Sequence, residues 1–246
     1  MFQPSERANM RLRGKSAVIY GAQSAAIAPV ARSFAQEGAT VYLAGGSPDQ
    51  LLPVAQGVRD AGGEADVAQV YPLDAHSVDE HLHQVVVKHG TVDVSLNLAY
   101  MGIEGPARLC NLTDEQFHAV AFTRTRSNFV TMAAAAREMA YQGRGTVLAT
   151  AVPKRAAPVG SLAAAAIGSA AIEALCHQLR EDVGSFGVRF AYVSDATGSE
   201  EELVLRLLQT FETVPTTARP HPVINAGALV RASPVSTSAA TDPVPA

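Results

Sequence analysis

The chain has 246 residues, 48% of them apolar and 17% charged, with a formal net charge of −4. This length and composition allow one large buried core and exclude a disordered chain. With only three lysines, the chain lacks the basic stripe that phosphate-backbone contacts require, so no nucleic-acid partner is expected.

No apolar run reaches the length of a membrane span, so no membrane association is expected. The opening MFQPSERANMRLRGK has basic residues without a hydrophobic signal core behind them, which points to a cytoplasmic protein. Cys110 and Cys176 are too few and too far apart for a disulfide framework or a metal knuckle. His81 and His83 stand two apart on an expected helix, where ligating neighbours need three or four, and no metal is expected.

In chain order, KSAVIY (15–20) reads as an apolar strand buried on both faces. PVARSFAQEGA follows with helical spacing and stops at Gly38, and TVYLAG (40–45) is a second strand. After a helix over 49–61, ADVAQVYPL (65–73) is expected as the third strand and VDEHLHQVVVKHG (78–90) as the helix behind it. VDVSLNLA (92–99) is the fourth strand, and 114–142 reads as a long helix, broken or bent somewhere along its length.

GTVLATAV (145–152) is the fifth strand, a helix covers 162–183, and VRFAYVS (188–194) is the sixth strand. SEEELVLRLLQTF begins with Ser199 and Glu202 at capping-box spacing, and PVINAGALV (222–230) reads as an edge strand. Strands and helices alternating over short connections define an α/β, Rossmann-like, doubly wound parallel sheet with helices on both faces. The expected organisation is a flexible N-terminus (1–11), a single domain (12–232) and a flexible C-terminal tail (233–246).

The ordered pieces RGKSAVIYGA, FAQEGATVYLAG, YPLDA and GTVDVSLNLA resemble the short-chain dehydrogenase/reductase family over about residues 12–230. The resemblance implies NAD(P) binding and oxidation or reduction of alcohol and carbonyl groups. It also implies cofactor contacts at Gly21, Asp74 and Asn97. Several family positions carry other residues. The glycine-rich turn retains Gly21 but has Ala25 and Ile27, and Ile27 puts a branched side chain where helix and strand should lie close. After the second strand, Gly45 and Gly46 stand where the family places a ribose-binding aspartate or an arginine. Tyr100 replaces a glycine beside the expected channel.

By the same resemblance, the family's catalytic asparagine, serine, tyrosine and lysine fall on Arg124, Val152, Ala165 and Ser169. These retain none of the four functional groups, and the mobile segment that usually follows the sixth strand is short. Arg124, Lys154, Tyr100, Tyr192 and Asp195 are the polar or ionisable side chains that could compose a different site in the cleft. The expectation is therefore a catalytically degenerate relative with no cofactor, acting as a non-catalytic subunit or as a binding protein for a small-molecule ligand. It would form a homo- or hetero-oligomer through helices 114–142 and 162–183, with an active paralogue as one candidate partner. Two alternatives stay open: a non-redox cyclase, dehydratase or isomerase reusing the cleft, and an NAD(P)-dependent oxidoreductase of carbonyl or alcohol substrates.

Overall fold

The computed structural model describes residues 10–98, 108–150, 162–193 and 200–211. The expected edge strand at 222–230, both chain ends and the Ser199 cap lie outside the described residues.

Six strands form one sheet: β1 (Ser16–Tyr20), β2 (Thr40–Gly45), β3 (Glu64–Gln69), β4 (Val94–Asn97), β5 (Gly145–Thr150) and β6 (Val188–Val193). Their spatial order is β3-β2-β1-β4-β5-β6, and every pairing is parallel. The helices are α1 (Ile27–Gln36), α2 (Pro48–Asp60), α3 (Ala75–His89), α4 (Asp114–Phe117), α5 (Arg124–Gln142), α6 (Leu162–Val183) and α7 (Glu200–Gln209). The doubly wound sheet expected from the sequence is the fold.

Strand alternation sends consecutive side chains to opposite layers. Ala17 and Ile19 of β1 join a core with Val30 and Phe34 of α1, Leu51 of α2 and Leu207 of α7. Val18 and Tyr20 join a second core with Leu82 of α3, Met132 and Met139 of α5 and Ile172 of α6. Burial on both faces explains why β1, β2 and β4 read as continuous apolar runs. The start of β4 is tied to that of β1 by buried Asp93, whose carboxylate accepts from the Ser16 amide (3.2 Å) and from Lys15 Nζ (3.1 Å).

Several element boundaries differ from the sequence reading, and the expected break within 114–142 is located. β3 ends at Gln69 rather than running to 73, because Pro72 has no N–H for a ladder and Asp74 already caps α3. Helix α1 starts at Ile27, two residues earlier than expected. The irregularity within 114–142 is a π-helical stretch, His118–Thr123, lying between α4 and α5.

Candidate functional site

The strand order reverses between β1 and β4, and ligands of open α/β sheets bind in the crevice at the carboxyl ends of the strands beside such a reversal. A cleft of about 210 Å³ opens there, lined by Gly21, Ala22, Gly45, Gly46, Arg124 and Ser127 among others. Among the described residues that line it, Arg124 is the charged one.

Each element contributes for a local reason. Gly21 leaves β1 with φ +127°, a conformation side chains resist, and its N–H donates to the Ala44 carbonyl (3.2 Å). The turn then closes by Ser24 N–H to the Gly21 carbonyl (2.9 Å) and Ile27 N–H to the Ser24 carbonyl (3.1 Å). Gly45 lies against this turn, and a Cβ there would meet the Ala22 Cβ at 2.8 Å and the Ala22 amide nitrogen at 3.3 Å. Glycine at 45 is thus a packing requirement of the cleft wall. Beyond it, Gln69 Nε2 donates to the Gly46 carbonyl (3.2 Å) and to the Tyr71 hydroxyl (2.9 Å).

The side chains at 20 and 27 do not fill the cradle. Ile27 is 3% exposed and packs into the core beneath α1, while the Tyr20 ring is wholly buried in the opposite layer, edge-on to His81. The branched side chain at 27 is accommodated by the helix–strand core, so the space in front of the turn stays open.

Arg124 begins α5 and is 4% exposed. Its Nη2 donates to the Thr150 carbonyl at the end of β5 (2.6 Å), and its Nη1 donates to the Ser169 hydroxyl on α6 (3.2 Å). Tyr192 on β6 donates its hydroxyl to the Ser169 backbone carbonyl (3.2 Å); burial pushes the phenol's pKa up. Arg124, Ser169 and Tyr192, separate in sequence, are therefore brought together.

Asn97 closes β4 and donates to the hydroxyls of Ser127 (3.0 Å) and Thr131 (2.9 Å), which holds α5 against the strand end. Asp74 accepts from the His76 amide (3.0 Å) as the N-cap of α3. Tyr100, Val152, Lys154 and Asp195 lie outside the described residues, and of Ala165 only its place in α6 is described. Sequence reasoning did not single out Ser127 or Thr150. Ser127 stands one turn after Arg124 on the same helix face, and Thr150 ends a strand beside the reversal, so both signals were available.

A doubly wound parallel sheet with a cleft at the reversal, edged by the turn after β1, defines a protein of the Rossmann-like α/β class. The short-chain dehydrogenase family model matches residues 15–197, and the chain belongs to that family. It is 24% identical over 216 residues to the 2,3-dihydro-2,3-dihydroxybenzoate dehydrogenase of Bacillus subtilis, covering 82% of each chain. It is 34% identical over 111 residues to a 3-oxoacyl-acyl-carrier-protein reductase of Thermotoga maritima, a match spanning 44% of that protein's length. Among solved structures, a metagenomic short-chain oxidoreductase in complex with NADP superposes with a TM-score of 0.72 at 20% identity, over 87% of this chain and 98% of that one.

These findings correct two expectations. The reading of a catalytically degenerate, non-catalytic scaffold is overturned by membership of a family of dehydrogenases whose structural neighbours are oxidoreductases. The expectation of no cofactor falls with it: the family is one of dehydrogenases, a fold neighbour holds NADP, and Ile27 is packed into the core. A lost glycine does not reveal which way its replacement points, and Ile27 points away from the cleft.

Among the described residues no helix is long and apolar enough to cross a membrane, and no group of three metal-ligating side chains occurs.

Proposed function

We propose that the chain is an NAD(P)-dependent oxidoreductase acting on a carbonyl or alcohol group. The observation that carries this reading is the open cleft at the strand reversal, edged by the Gly21 turn and by the Gly45 wall that no side chain can thicken. The Gly21 turn and the start of α1 would hold the pyrophosphate. Gly45, Gly46 and Ser47 would border the adenosine ribose, with Asp74 near its base. Asn97 keeps the β4 edge in place through Ser127 and Thr131. When bound, the nicotinamide ring supplies or accepts the hydride.

In this reading the reacting centre departs from the family pattern, with Arg124, Val152, Ala165 and Ser169 at the four positions of its catalytic residues. In the reductive direction the carbonyl π pair becomes a lone pair on oxygen, and water admitted through the cleft provides the proton. Arg124 stays charged throughout, because a guanidinium does not lose its proton near neutral pH. One relative's name carries a benzoate substrate, so a ring-bearing alcohol belongs in the first set of compounds tried.

The domain is taken to run over 12–232. Helices 114–142 and 162–183 are the proposed contact between two copies, supported by the outward-facing Phe122, Phe129 and Ile167, which are 56%, 50% and 44% exposed.

The test is consumption of NADH and NADPH by the purified chain against a panel of ketones, keto acids and cyclic diols, the last run with the oxidised cofactors. Turnover that tracks enzyme concentration supports the reading. No turnover with any compound, by protein that binds dinucleotide, contradicts it.

A further inference from the structure

We infer that β3, at one edge of the sheet among the described residues, is closed against strand addition by Arg59 and Asp66. These two side chains occupy backbone groups that an extended segment of a second copy of the chain would take. The edge is separated from the strand reversal and its cleft by β2 and β1.

The backbone groups of successive residues in a strand point to opposite neighbours. The Val70 N–H donates to the Gly45 carbonyl of β2 (3.0 Å), so the even-numbered residues of β3 face β2. The odd-numbered ones, Ala65, Val67 and Gln69, turn their N–H and C=O groups outward. A row of outward groups is a template for pairing with another chain, and a second copy supplies an identical row.

Two of these outward groups are taken at the middle of the strand. The Ala65 carbonyl accepts from Arg59 Nε (3.1 Å) and Nη2 (2.8 Å), two arms of a guanidinium carried by the last turn of α2. The Val67 N–H donates to Oδ1 of the neighbouring Asp66 (3.2 Å), and Oδ2 of the same carboxylate accepts from Lys88 Nζ of α3 (2.7 Å). Helices α2 and α3 pack on opposite faces of the sheet, so the edge is covered from both layers.

Position makes the pair effective. In parallel pairing, one residue of an incoming strand donates to the carbonyl before the residue it faces and accepts from the N–H after it. The Ala65 carbonyl and the Val67 N–H are such a couple, and both are occupied. In antiparallel pairing a residue exchanges two bonds with one partner, and Ala65 and Val67 each have one of their two groups engaged. An added strand would have to displace charge-assisted bonds, which are roughly twice as strong as the neutral amide–carbonyl bonds replacing them.

The test is aggregation of the purified chain, held at one fixed interval below each variant's own melting temperature and followed by thioflavin T fluorescence and light scattering. The double variant Arg59→Ala with Asp66→Ala is expected to aggregate at least about fivefold faster than wild type, with residues 64–69 protected from hydrogen exchange in the aggregate. Asp66→Asn keeps an oxygen that accepts from the Val67 N–H, and Lys88→Ala removes only an exposed ion pair. Both should stay below that rise. A smaller acceleration in the double variant overturns the inference, as does an aggregate in which 64–69 exchange as freely as in the dispersed chain. Equal acceleration in Asp66→Asn overturns it too, because the plug would then be intact. If the double variant does not fold, Arg59→Ala and Asp66→Ala taken singly decide by the same two readings.

Discussion

Arg124 and His81 show two fates of an ionisable side chain inside one fold. Arg124 is buried with its charge, its head oriented at a cleft by the Thr150 carbonyl and the Ser169 hydroxyl. His81 is 5% exposed on the inner face of α3, edge-on to Tyr20, and its Nδ1 has no hydrogen-bond partner among the described residues. Burial lowers its pKa to about 4, with Asp66 pulling it up and Lys88 pushing it down. In the unfolded chain the same imidazole takes a proton near pH 6.5, so between those values the unfolded state binds more protons. Stability contributed by the neutral ring is therefore complete above the unfolded pKa and is lost as pH falls towards 4, by roughly 3 kcal/mol at most. Urea unfolding at stepped pH should show a steeper decline between pH 6.5 and 4 in the wild type than in His81→Phe. Parallel curves would mean that His81 is protonated, or solvated, in the native state.

At the scale of elements, the strands were legible because both faces of the sheet are buried and leave uninterrupted apolar runs such as AVIY and VYLAG. The end of β3 was not, since Val70 and Tyr71 continue the apolar pattern while Pro72 stops the ladder. The turn after β1 was read by its missing glycines, and Ile27 lies where that reading put it, between helix and strand in the core. Side-chain direction at a helix start depends on how the helix docks, which no residue spacing specifies. Gly45 was read as a position unable to bind ribose, yet its structural meaning is contact with Ala22. Gly45→Ala must push that turn away by several tenths of an ångström. A loss of dinucleotide affinity of about tenfold or more is expected, with little change in melting temperature, because the core layers are untouched. Unchanged affinity, measured by fluorescence titration, would show that the turn yields freely and does not shape the site.

For the whole molecule, topology was the most legible feature and chemistry the least. Six parallel strands in the order β3-β2-β1-β4-β5-β6 follow from alternating elements and right-handed crossovers. They place the cleft without reference to any catalytic residue. The chemistry rests on contacts between distant parts of the chain, such as Arg124 with Thr150 and Ser169, which become visible only when α5, β5 and α6 are assembled. One scaffold supports many reactions, so the residues gathered at that cleft, more than the sheet, have to carry the functional claim. The direct measurement is titration of the wild-type chain with NADH and with NADPH, followed by fluorescence and calorimetry. Saturable one-to-one binding with a Kd on the order of 1–100 μM for at least one of them is the predicted result. Failure of both to saturate at about 1 mM, by protein that melts cooperatively, would contradict it.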